Sequence, residues 1–191
     1  MKRLLDLATL AAGAAFLGLA FLTAFEVLLR KFFNQSLAGV DEIGGYVYAI
    51  GGAVGFIAAY AANTHIRINL IVARFGPLPR LILNLISHGL LLLYAGLLTW
   101  RAAAQWLRSY ELEALAPTPL RTPLILPQGL WLICLAIFTL VILVKLGGTL
   151  ALLVRGGGIP AAAQSLDIGE TDDETRAELA SLDRRRAQDH T

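Results

Sequence analysis

The chain has 191 residues, 57% of them hydrophobic and only 16% charged, with a formal net charge of +2. A soluble domain carries about a quarter charged residues, and a globule of this length cannot hide so much apolar surface, so lipid is the expected solvent. No basic stripe interleaved with aromatics appears, which argues against nucleic acid. Cysteine is used once, at Cys134, which excludes an internal disulfide framework and a cysteine-based metal cluster.

The charge is unevenly spread. Residues 1–155 hold 12 Lys/Arg and 6 Asp/Glu, whereas residues 156–191 hold 4 Arg and 8 Asp/Glu. A basic membrane body is followed by an acidic tail.

Crossing the hydrocarbon core takes roughly 20 mostly apolar residues in a helix. Four segments qualify: 7–29, 43–62, 81–100 and 128–150. The expected fold is an all-α integral membrane protein of four transmembrane helices, residues 1–155, with a disordered acidic cytoplasmic tail, residues 156–191. The first segment also has the basic start of a secretory signal, Lys2 and Arg3. Its uncharged run from Leu7 to Phe25 exceeds the roughly 7–15 residues of a signal's apolar region, which favours an uncleaved span.

At the end of span 1, Glu26 and Arg30 stand four residues apart, in the favourable order for a helical ion pair. Phe32 and Phe33 suit an interfacial turn. Asp41 and Glu42 precede span 2, where carboxylates complement the positive end of the helix dipole. Two readings coexist for these residues: capping and anchoring, or a contact surface for a partner.

Span 2 is rich in small residues, and Gly51 and Gly55 form a GxxxG pair. Such residues let backbones approach closely, where packing drives helix association in lipid. The pair serves either contacts within the chain or a partner helix.

Span 3 carries Asn84, Ser87 and His88 at helical spacing, expected to face protein and form interhelical hydrogen bonds. The helical pattern continues past Trp100 to about Ala116, before Pro117. Arg101, Gln105 and Arg108 share a face of this extension, a platform for a soluble partner. Trp100 and Trp106 fit an aromatic belt. Residues 117–127, PTPLRTPLILP, are too rich in proline for a helix interior and read as an ordered connection into span 4, whose start Trp131 anchors.

Lys145 interrupts span 4. Either the helix is long and Lys145 snorkels from its last third, or the span is short and Leu146 to Val154 lies along the membrane surface. From Gly156 the sequence reads as a linker and then a charged tail that cannot build a packed domain.

An even number of spans puts both termini on one side. That side would hold Lys2, Arg3, Arg67, Arg74, Arg80 and Arg155, against Arg30, Lys31, Arg101, Arg108 and Arg121 on the other. The bias, slight as it is, points to cytoplasmic termini.

Two loops resemble a known family. The run EVLLRKFFNQSLAGVDEIGGYVY, residues 26–48, is similar to a signature of the small membrane subunits of TRAP transporters, the DctQ type, of rough form VxLRYFFNxSLxWxEELxRY. Arg30, Phe32, Phe33, Asn34, Ser36, Leu37, Glu42 and Tyr46 match, and Asp41 replaces a Glu. The second run, THIRINLIVARFGPLPR, matches GHIRVDLLxxRLPPxxR at His65, Ile66, Arg67, Leu70, Arg74, Pro77 and Arg80. LRTPLILPQGLWL, near span 4, is a weaker third. Gly39 stands where the family usually has Trp, Gly45 where Arg is common, and Asn69 where Asp is common.

The resemblance implies a non-enzymatic subunit of a tripartite, sodium-coupled uptake system of the bacterial inner membrane. A periplasmic binding protein captures an organic acid such as a dicarboxylate. A large multi-span subunit transports it, and the small subunit acts as scaffold and docking aid. The resemblance implies no cofactor or metal. Arg30, Asn34, Asp41, Glu42, Gly51, Gly55, His65, Arg67, Arg101, Gln105 and Arg108 are the candidate partner-contact or anchoring residues. His65 and Arg67 are expected to anchor a cytoplasmic turn.

Two other classes are weighed against this. A haem-binding four-helix protein would use a histidine pair, but His88 lies roughly 10 Å deeper in the membrane than His65 at ~1.5 Å per residue. A stand-alone channel or exporter would need a polar pore, and span 1 offers almost none. A secondary transporter usually has internal repeats and broken helices around a midplane site, neither of which this sequence displays.

Overall fold

A computed structural model describes residues 2–61 and 77–155, and beyond these Gly158, Ile159, Ala162 and Leu166. Among the described residues four long helices follow one another: α1 (Lys2–Phe33), α2 (Val40–Ala61), α3 (Pro77–Glu111) and α4 (Ile125–Val154). Each contains a stretch long and apolar enough to cross a membrane. Among the described residues no strand forms beyond an isolated bridge between Leu115 and Pro123. The protein is all-α with four transmembrane helices.

The distribution of side chains is that of a chain dissolved in lipid. Leu10, Leu17, Phe21, Leu93 and Val144 are exposed, while Glu26, Glu42, Asn84, His88, Ser109 and Thr149 are buried. In water this arrangement would be costly on both counts. In hydrocarbon it is required, because polar groups must find partners inside the protein.

The helix ends follow local chemistry. α1 stops where Asn34 takes a left-handed conformation, φ 51°, which asparagine tolerates better than most residues. Gly39, at φ 99°, then turns the chain, and its carbonyl accepts from Ile43 N–H at 3.0 Å to open α2. α3 begins with Pro77, whose missing N–H costs nothing in a first turn. The sequence pattern predicts that α3 runs to about Ala116, but the helix ends at Glu111. Glu113 adopts φ 46°. Its N–H reaches Tyr110 O at 3.3 Å, and Ala114 N–H reaches Ser109 O at 3.0 Å. This is a Schellman stop, reached without the usual glycine.

α4 begins at Ile125, so Pro127 lies in its first turn, where proline is tolerated. The helix runs unbroken to Val154, so residues 146–154 continue it rather than forming a separate segment.

The described chain divides into two compact units, residues 1–58 with 90–143 and residues 59–89 with 144–191. In the first, Ala53, Ala95, Leu135 and Ile142 are almost wholly buried. Ala95, Ala102 and Ser109 recur every seven residues on α3 and are all buried, giving it a seam of small side chains. Phe16 meets Tyr48 with ring centroids 5.5 Å apart, and Phe56 meets Phe138 at 5.9 Å. Thr99 and Thr139 bring their hydroxyl oxygens to 2.8 Å, each also within reach of the carbonyl four residues back.

In the second unit, His88 donates from Nδ1 to Asn84 O at 2.9 Å and meets the Tyr60 ring edge-on at 5.8 Å. The Lys145 ammonium lies over the same Tyr60 ring, 5.1 Å from its centroid. Such cation–π contacts gain strength when desolvated. Asn84 and His88 are buried as their spacing predicts, but Ser87 is exposed. Asn84 and His88 are four residues apart and lie about 40° from each other around the helix, whereas Ser87 lies about 100° from His88, on the far side of Asn84. The expected disordered tail falls for the most part outside the described residues. Of the four residues described there, Ala162 and Leu166 are buried.

Interhelical hydrogen bonds in membrane proteins average about 0.6 kcal/mol, with a maximum of about 1.7. A double-mutant cycle of Thr99→Val and Thr139→Val, measured by reversible unfolding in mixed micelles, should therefore give a coupling energy of about 0.6 kcal/mol.

Candidate partner-contact surface

Three local constructions in the first unit place the sequence-derived candidates. The first closes the end of α1. Arg30 bonds Glu26 one helical turn earlier, and Ser36 Oγ donates to the same Glu26 oxygen at 2.9 Å. Glu26 is buried while the Arg30 guanidinium remains largely exposed. The pair thus folds the chain after Phe33 back onto α1. Asn34 is exposed and serves as the left-handed stop.

The second is built on Glu42, in the first turn of α2. Its carboxylate accepts from Tyr46 Oη at 2.7 Å and from the Thr118 hydroxyl. Thr122 adds a side-chain and a backbone hydrogen bond to the same group. A carboxylate has two oxygens and about four acceptor sites, so this buried group is well matched. The constellation ties the start of α2 to the connection between α3 and α4. Neighbouring Asp41 is exposed.

That connection is further braced by its own backbone. Ala116 N–H reaches Thr122 O and Leu124 N–H reaches Ala114 O, both at 3.0 Å. Leu120 lies over Gly39, so closely that a Cβ at Gly39 would overlap its side chain. Glycine at this position, where the related signature has Trp, fits both this overlap and the positive φ. Trp106 donates from Nε1 to Ile125 O at 3.1 Å and stacks with Tyr110, centroids 6.2 Å apart. A Cβ on Gly129 would come within 3.0 Å of that indole nitrogen. Trp106 is therefore a pin between α3 and the start of α4. Trp100 is 65% exposed, with Arg101 beside its ring at 5.4 Å, and retains a belt-like setting.

The third concerns the two glycines of α2, which the structure separates. Gly51 is buried, and a Cβ there would stand 2.5 Å from the Phe16 ring. It is used within the chain, as the close-approach point of α1 on α2. Gly55 is exposed, with no described atom within 4 Å of such a Cβ. Of the pair, Gly55 is the one left on an open face.

Arg101, Gln105 and Arg108 are all exposed on α3. Their spacing puts them on one side of the helix over about 10 Å of its length. At 35 residues, α3 is about 52 Å long at ~1.5 Å per residue, well beyond a hydrocarbon core of ~30 Å. His65 and Arg67 lie outside the described residues.

Sequence reasoning missed Thr118, Thr122 and Trp106 as structural partners. Thr118 and Thr122 do carry a weak signal, being hydroxyl residues at a four-residue spacing in a proline-rich connection.

Two substitutions probe these locks. Gly39→Ala should lower stability by more than about 1 kcal/mol, since it combines overlap with an incompatible φ. Adding Leu120→Ala should restore only part of the loss, as read by thermal unfolding. Thr118→Val with Thr122→Val should loosen the connection, so trypsin should cut after Arg121 faster than in the unsubstituted chain.

Comparison with curated proteins and with solved structures finds no match to either. A comparison with protein families matches residues 19–152 to the family described as "Tripartite ATP-independent periplasmic transporters, DctQ component". The matched stretch contains the Glu26 and Glu42 constellations, both α2 glycines and the arginine face of α3, and with most of the chain covered the protein belongs to the DctQ component family of TRAP transporters.

Proposed function

We propose that this protein is the small membrane subunit of a sodium-coupled TRAP system that takes up organic acids such as dicarboxylates across a bacterial inner membrane. It scaffolds a large multi-span transport subunit and helps dock a periplasmic substrate-binding protein. Both termini lie in the cytoplasm. The family is a transporter component, and the subunit's own chemistry is positional rather than catalytic.

The observation that carries this reading is the division of labour among polar groups. Glu26 and Glu42 are buried and engaged in helix locks, whereas Arg101, Gln105 and Arg108 stand exposed on a helix longer than a bilayer core. Rows of exposed arginines suit an acidic protein surface, where charge complementarity raises encounter rates and sets orientation. In this reading the α3 face meets the binding protein. The open face around Gly55 meets a helix of the large subunit, where small residues permit close packing. His65 and Arg67 anchor their turn to headgroups or to the large subunit.

The test is co-purification in mild detergent with the co-expressed large subunit, alongside uptake in reconstituted vesicles. Arg101→Glu with Arg108→Glu should weaken docking and uptake while leaving the membrane complex intact. Gly55→Leu should reduce co-purification without unfolding the chain. Gly51→Leu should instead destabilise the chain itself, because Phe16 occupies the space. Purification only as a homo-oligomer in the presence of the large subunit would overturn the proposal, as would uptake indifferent to the charge reversals.

A further inference from the structure

The family match ends at residue 152, and two of the residues described beyond α4, Ala162 and Leu166, are buried. After α4, Gly158 turns through φ 76°, a conformation that suits glycine. Ala162 N–H then reaches Gly158 O at 3.2 Å, one helical turn on. Ala162 is fully buried against Leu81, with Leu85 and Leu153 packed around the pair. Leu166 is also fully buried. The sequence turns acidic directly afterwards, at Asp167.

Ala162 and Leu166 are therefore two apolar side chains withdrawn from water and lipid alike. Alanine at the contact allows close approach without a large side chain to order.

We propose that Gly158, Ala162 and Leu166 belong to an intramolecular clasp, with Ala162 seated on Leu81, that closes the apolar seam between the start of α3 and the end of α4. The surface at Leu81, Leu85 and Leu153 is thus an interaction surface whose occupant is the chain's own extension past the fourth span. It is not a contact left open for another subunit. The clasp lies outside the family-matched stretch and stands independently of the transport reading.

The experiment uses the full chain in mild detergent with Cys134→Ser as background. Leu81→Cys combined with Ala162→Cys should give an intramolecular disulfide on mild oxidation, seen as a mass loss without dimer formation. With Leu81→Cys alone, maleimide labelling should be slow. Adding Ala162→Asp should speed it by at least about tenfold, the factor given by about 1.4 kcal/mol of easier local opening. If Leu81→Cys does not yield folded protein, Leu153→Cys reports on the same seam. Equal labelling rates with and without Ala162→Asp would overturn the clasp. Failure of the disulfide to form in folded protein would also overturn it. A disulfide-linked dimer would assign the seat to a second copy and overturn it as well.

Discussion

A carboxylate withdrawn from water has to be matched by donors inside the protein, because a buried charge without partners is costly. Glu42 meets that condition with Tyr46 from its own helix and with Thr118 and Thr122 from a connection some eighty residues further on. The match fixes where residues 112–124 can lie. That in turn sets the stop of α3 at Glu111 and the start of α4 at Ile125. Trp106 then bonds to Ile125 O from the adjacent stretch of α3. Removing one donor would leave part of a buried charge unmatched, so the constellation holds together or loosens as a unit.

The same rule governs the rest of the protein at lower stakes. Where lipid is the solvent, apolar contact between helices gains little from expelling water. Close packing and hydrogen bonds set the arrangement instead. Gly51 lets the Phe16 ring approach the α2 backbone, and Thr99 and Thr139 bond to each other. His88 turns its ring on Tyr60 while donating to Asn84 O. The large apolar side chains, which would form the core of a soluble protein, cover the outside.

How much of this was legible in the sequence depended on the range of the interaction. Runs of about 20 apolar residues mark spans on composition alone, and a 3.6-residue period puts Arg101, Gln105 and Arg108 on one face. The Glu26–Arg30 pair is local and was readable. The partners of Glu42 were not, because no local pattern links position 42 to positions 118 and 122. Gly51 and Gly55 look alike in sequence, and only the presence of Phe16 beside one of them distinguishes their roles. The end of α3 was misplaced because Glu113 adopts a left-handed conformation that glycine or asparagine normally announces. Proline at position 117 was the more visible signal, but it lies six residues past the actual stop.

The seven-residue recurrence of Ala95, Ala102 and Ser109 has a consequence for helical phase. These small residues determine which side of α3 turns inward. By the 100° step of the helix, Arg101, Gln105 and Arg108 lie about a quarter of a turn from that seam. The azimuth of the exposed arginines is thus dictated by residues that carry no charge. One residue inserted between Ala102 and Gln105 would swing Gln105 and Arg108 by ~100° relative to Ala95 and Ala102 while leaving composition and net charge almost unchanged. Two related chains with the same arginines, but with their small residues offset by one, would present those charges in different directions.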